Sequence, residues 1–316
     1  MLTTPAEPNY ELDPVPFWKV LVRSMHPLRV IRMRRLQGPF TDDGFVEAAM
    51  AAHRDSAAAG TINERCVALW KMEWIGFSYC RHGAGILHRP SILVAMQPIV
   101  HTGLGFAAVE EAALQPDKVR ESIDRRAHPD FRHFAYESVG CAWGVLNNGR
   151  FRKLFEMFTG VRFAPFDPPA PAEFMARFPA ELRPLLSHGY GRTLYFVHCD
   201  LAKSLRSAAT ATWLETSAAV HGVAFAYVMI NFADLDRILD VRPDLPEPAL
   251  AEDFASGLVF ALAMLSWTFP GMFDTWSSRP PRQTELFDRA ERLVRDSRDC
   301  SYFNSPVLSA GTSISP

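Results

Sequence analysis

The chain has 316 residues, with 33 Lys and Arg against 35 Asp and Glu, a net charge near −2 and 48% hydrophobic residues. This balance suits a globular protein with a sizeable apolar core, and it excludes both the basic footprint of a nucleic-acid binder and the composition of a disordered chain. The five cysteines are odd in number and form no C-x-x-C pair, so reduced thiols and a cytoplasmic location are expected. The first residues, Met1 to Tyr10, lack the basic and then apolar pattern of a secretory leader.

Residues 1–16 are Pro-rich and acidic and are expected to be extended. Phe17 to Leu36 reads as a helix broken near His26-Pro27. Its Arg29, Arg32, Arg34 and Arg35 suit solvent, an acidic partner or a membrane surface. Thr41 is placed to cap a helix reaching Ala58, with Phe45, Ala49, Met50 and His53 on one face. Thr61-Ile-Asn-Glu64 has the form of a capping box. The helix after it spreads Cys66, Leu69, Trp70, Ile75, Phe77 and Tyr79 around its circumference, which suggests burial on several sides.

Residues 81–105 are rich in Gly, Pro and His, and Ser91 to Met96 fits either a strand or a helical turn. Glu110 to Arg126 reads as helix. Pro129 opens a helix that runs to the stop signal Asn147-Asn148-Gly149, and Arg150 to Met157 resumes it. A Pro-rich connection, 165–187, separates an N-terminal helical half, 17–164, from a C-terminal half, 188–299. Gln283 to Arg298 is amphipathic, with Leu286, Phe287, Ala290, Leu293 and Val294 on one side. Residues 300–316 form a Ser-rich, flexible tail. The expected fold is mostly α: a helical domain with two related halves packed around small-residue apolar helices, with short strands entertained at 91–106 and 192–199.

Thr216 to Ala233 and Phe254 to Phe273 are apolar for the length of a membrane span. Both are rich in Ala, Gly and Ser, the first holds His221 and Asn231, and Pro270-Gly271 interrupts the second. Buried core helices fit this composition better, with peripheral membrane contact as the alternative.

Two similar blocks carry the polar groups that interrupt apolar helix. The first is Phe131 to Leu146. The second runs from Gly189 through Trp213 to Val228. His133 and Glu137 are four residues apart and share a helical face, as a local pair, an acid–base pair or part of a metal site. Further ligands for a metal would have to come from His128, Glu215, His221 or His198-Cys199-Asp200, and the paired Glu-x-x-His pattern of di-iron bundles is absent. No metal or other cofactor is therefore assigned. His221 lies in an apolar run, as a core histidine or a base tuned by a neighbouring carboxylate. Gly189-Tyr190-Gly191-Arg192 reads as a glycine turn, either structural or presenting its Arg to a carboxylate or phosphate. Asp234, Asp236 and Asp240 are interleaved with Arg237 and Arg242 and read as a solvated charged turn, with a magnesium–diphosphate site as the alternative. No nucleotide-binding, hydrolase or zinc motif is present.

Phe134-Ala-Tyr-Glu137, the segment Gly189-Tyr-Gly-Arg-Thr-Leu-Tyr-Phe196, Trp213 and the small apolar helix Ala218 to Tyr227 resemble the motifs of a family of uncharacterised bacterial proteins. Its members are often encoded beside enediyne-type iterative polyketide synthases. Ser138 stands where that family has Gly, and the stretch between the two blocks is short. The resemblance implies a role in specialised metabolism, on an enediyne or polyene polyketide intermediate. The expectation is an apolar pocket between the halves, lined by Tyr136, Trp143, Arg192, Phe225 and Tyr227. Glu137, His221 and His133 would supply an acid–base isomerisation or cyclisation of a hydrophobic, unsaturated substrate. A non-catalytic binder or an accessory subunit docking on a synthase is the alternative, and a metal-dependent oxygenase the weaker one.

Overall fold

The computed structural model describes residues 40–58, 62–81, 83–86, 92–113, 115–147, 171–231, 248–268 and 284–296, with single positions at 152, 153, 156, 238, 241 and 245. The helices are α1 (Asp42–Ala57), α2 (Ile62–Cys80), α3 (Gln97–Ala112), α4 (Pro116–Arg126), α5 (Arg132–Asn147), α6 (Pro171–Ala176), α7 (Arg183–His198), α8 (Leu201–Thr210), α9 (Thr216–Asn231), α10 (Pro248–Thr268) and α11 (Thr284–Asp296). No strand occurs among the described residues.

Local chemistry sets many of the boundaries. The Thr41 hydroxyl accepts from the Gly44 amide, and Asp42 and Asp43 sit in the first turn of α1, where they suit the helix dipole. His128 caps a single 3₁₀ turn, Pro129–Phe131, that leads into α5. Asp200 caps α8 by accepting from the Lys203 amide. The expected helix over 110–126 is two helices, because Ala113 turns left-handed at φ 45° and Pro116 starts afresh.

Among the described residues, the stretches entertained as strands, 91–106 and 192–199, are helical from Val94 onward and up to His198. Val94–Met96 is a 3₁₀ turn, Pro98 sits in the first turn of α3, and α7 continues to His198 before Cys199 closes it at φ 47°. Neither stretch alternates apolar with polar residues as a half-buried strand does. The Thr61 capping box, the Arg29–Arg35 run and the Asp234–Asp240 turn lie outside the described residues.

The long helices pack in a file that follows chain order: α1 on α2, α2 on α3, α3 on α5, α5 on α7, α7 on α9, α9 on α10 and α10 on α11. Helix α4 lies against α3, and α8 lies against α7 and α9. One continuous hydrophobic cluster runs from Phe45 in α1 to Leu293 in α11, so the two expected halves share a core. Helix α7 joins them, because it begins at Arg183, inside the expected Pro-rich connection, and packs on both α5 and α9. In α11, Phe287, Ala290 and Leu293 are buried, as its amphipathic pattern requires.

The central seams are unusually close. A methyl group at Gly189 would collide with the Glu137 carbonyl on α5, and one at Gly222 with the His188 carbonyl on α7. Glycine is present there because backbone meets backbone, and Gly189-Tyr190-Gly191-Arg192 is mid-helix, not a turn. The many small residues of α5, α7, α9 and α10 thus serve helix approach. Among the described residues only α10 is long and apolar enough to cross a membrane, and more than half of that stretch is buried within the protein.

Candidate functional site

The close approach of α5 and α7 decides the geometry of the polar core. Where Gly189 meets the Glu137 backbone, the side chains on either side of that contact are brought together. His188 and Arg192 are four residues apart on α7 and share a face. Each takes one oxygen of the Glu137 carboxylate. His188 Nδ1 lies 3.0 Å from Oε1, and Arg192 Nη1 donates to Oε2 at 2.7 Å. All three residues are buried. The guanidinium also lies over the Phe225 ring, 5.1 Å from its centroid, and 5.9 Å from that of Phe196.

Burial alone would push the Glu137 carboxyl up, but Arg192 and His188 overcome it and hold the group below the usual carboxylate range. Glu73 on α2 has the opposite fate. Burial raises its carboxyl to about 7, against the pull of Arg192 and with a further push from Glu137. Glu73 keeps partial solvent access, unlike Glu137. Arg192 thus acts on two carboxyl groups: paired with Glu137 it holds that group low, while at Glu73 its pull only partly offsets the rise caused by burial.

His221 on α9 completes the cluster. Its ring centroid is 5.0 Å from that of His188, and Phe260 of α10 lies 5.5 Å from it. Burial, reinforced by His188, pushes the His221 imidazole well below its ordinary value, so the ring is neutral. Neither of its nitrogens has a hydrogen-bonding partner among the described residues, and the same holds for His188 Nε2 and Arg192 Nε. Each unmet buried polar group costs roughly 1–3 kcal/mol, which makes a cluster of them a feature to be explained.

The other expected site residues divide. His133 packs on the Phe134 ring, and burial pushes its imidazole down to about 4 against the pull of Glu137. It is one turn from Glu137 without bonding to it. Tyr136 points elsewhere. Its hydroxyl donates to Asp124 of α4 at 2.8 Å, and burial together with that bond raises the phenol above its usual range. Trp143 stacks on Phe174 and meets Tyr190 and Trp213, a separate aromatic cluster. Tyr227 meets Tyr195 on another side of α9. The structure thus gathers Glu137, Arg192, His221 and Phe225 and leaves Tyr136, Trp143 and Tyr227 outside.

Two central residues escaped the sequence reading. His188 was hidden by reading Gly189–Arg192 as a turn, although His188 and Arg192 have the same four-residue spacing as His133 and Glu137. Glu73 carries a fainter signal, as the last charge before the uncharged run Trp74 to Cys80. Among the described residues no three His, Cys, Asp or Glu side chains converge as a metal site. His128, His198 and Asp200 are engaged in local bonds, and Glu215 is exposed.

The histidines set an acid limit. His221, His133 and His101, the last pushed by burial to about 3, all resist protonation in the folded chain. The unfolded chain takes those protons below about pH 6.5. Stability is therefore present above that value and falls as pH drops toward 4, by about 1.4 kcal/mol per pH unit for each group. Glu73 acts in the other sense: its raised carboxyl favours the folded state at low pH and loses that contribution as pH rises from 4.5 through 7. Urea midpoints measured from pH 7 to pH 5 should fall, and more steeply in Glu73→Gln. A flat profile would contradict the neutral histidines.

No known family's model, no curated protein and no solved structure matches this chain.

Proposed function

We propose that this protein catalyses an acid–base rearrangement, an isomerisation or cyclisation, of a hydrophobic unsaturated intermediate in specialised metabolism. The observation that carries the reading is the buried Glu137–Arg192–His188 cluster, whose arginine also acts on the Glu73 carboxyl that burial raises. Environments that separate two like groups assign one to proton transfer and the other to a fixed charge. Glu73 fills the first role, with an ordinary value displaced to about 7, where a general base is most effective. As carboxylate it takes a proton from an activated carbon, and as carboxylic acid it returns that proton at another position, so substrate and product share one composition. Glu137, held ionised, keeps Arg192 and His188 in place. The proton-moving role expected of Glu137 passes to Glu73, because a carboxylate held low by Arg192 is a weak base.

The apolar surround of Phe225 and Phe260 suits a hydrocarbon-like substrate, and the motif resemblance suggests an enediyne or polyene polyketide as its class. A cytoplasmic setting accords with the free, buried thiols of Cys80 and Cys141. The test replaces the protein in its producer with Glu73→Gln. The expected result is loss of the mature product and accumulation of an isomer of equal mass, with the variant as abundant as the parent protein. An unchanged product profile would overturn catalysis by Glu73 and favour the binding role.

A further inference from the structure

We infer that the junction of α7, α9 and α10 binds a neutral hydroxyl group of a hydrophobic ligand between His188 and His221, and that it discriminates against carboxylates. The inference rests on the proposed hydrophobic substrate and specifies its polar end. Glu137 is ionised, so its Oε1 can only accept, and His188 Nδ1 must donate to it. That leaves His188 Nε2 buried and without a partner. His221, also neutral, presents one N–H and one lone pair, both buried and unmatched. A hydroxyl both donates and accepts, so a single such group can answer the unmatched nitrogens of His188 and His221 together. The rings of Phe225 and Phe260 lie 5.6 and 6.2 Å from His188 and supply apolar walls.

Charge decides against an acid. Arg192 is already matched by Glu137, and Glu73 adds a carboxyl to the same neighbourhood. A ligand carboxylate would meet a guanidinium already paired and a second carboxyl acting on the same arginine. The expectation from sequence that Arg192 receives a carboxylate or phosphate is therefore replaced by one in which Arg192 is committed internally. The helices hold the two rings in register, because Gly222 backs onto the His188 carbonyl and Gly257 onto that of His221.

The probe is a conjugated tetraene alcohol, compared with the tetraene fatty acid of the same chain, titrated by polyene fluorescence into the full-length protein at pH 8. The alcohol should bind at least about tenfold more tightly, the ratio of about 1.4 kcal/mol. Ring-nitrogen NMR of the unmutated, ¹⁵N-histidine-labelled protein gives the second readout: the alcohol should shift the signals of His188 and His221 and spare His101. Failure of the alcohol to bind, equal or tighter binding of the acid, or binding that leaves both rings unshifted would each overturn the inference. Both readouts use the unmutated protein and no turnover, so a binding failure is read apart from the proton-transfer failure that the Glu73→Gln product profile reports.

Discussion

Replacing Arg192 with Met should destabilise the chain by about 3–5 kcal/mol, the expected consequence of leaving a buried carboxylate without its cation. Glu137 is 3% exposed and enclosed by α5 and α7, so water cannot replace the guanidinium. Its carboxyl would then rise toward protonation, and the variant should recover part of the loss at mildly acidic pH relative to the parent. The double variant E137M/R192M removes both charges and fills the space with apolar atoms of similar length. It should be more stable than R192M, because the unmatched charge is gone, although His188 Nδ1 loses its acceptor. Equilibrium denaturation of the parent, both single variants and the double variant gives the coupling energy directly. An R192M protein within 1 kcal/mol of the parent would mean that the pair is solvated and that the polar core is not closed.

The second large effect is expected at Gly189. Helix propensity by itself predicts that Gly189→Ala stabilises the chain by about 1 kcal/mol. The seam predicts the reverse. The new methyl would fall on the Glu137 carbonyl, with the Cys141 amide close by, and Gly140 on the same seam already backs onto the Leu186 carbonyl. Neither backbone can retreat without opening the contact that Thr193 makes with the Cys141 carbonyl at 2.9 Å. Overpacking of this kind costs about 1–3 kcal/mol or more, which outweighs the propensity gain. The shift should also move Glu137 away from His188 and Arg192. Denaturation curves decide the sign, and a stabilised Gly189→Ala would refute the backbone-to-backbone packing of α5 on α7.

The helical class and several boundaries were legible because they are local. Thr41, Pro129 and the stripe of α11 each act within a few residues of their own position. The composition of α9 and α10 was also legible as core, since small residues without Leu-rich stretches suit helix contact. The errors share one cause. A glycine in mid-helix and a glycine in a turn look alike in sequence, and only the neighbouring backbone tells them apart. Reading Gly189 and Gly191 as a turn concealed α7, and with it the alignment of His188 and Arg192 on Glu137. Glu73 could not be found by spacing at all, because its partner lies on a helix more than a hundred residues away, and its displaced proton affinity arises from burial beside Glu137. Tyr136 and Trp143 lie near Glu137 in sequence, yet a helix turns neighbours to different faces: Tyr136 faces Asp124, and Trp143 faces Phe174.

The central claim is that two carboxyl groups around Arg192 have been driven apart, with Glu73 poised and Glu137 fixed. The most direct measurement is a ¹³C NMR titration of the side-chain carboxyls in glutamate-labelled protein, with Glu73→Gln and Glu137→Gln as assignments. One carboxyl should titrate near 7 and vanish in Glu73→Gln, and the Glu137 signal should titrate below the usual carboxylate range. A Glu73 that titrates like an ordinary surface carboxylate, near 4.3 on the usual scale, would contradict it.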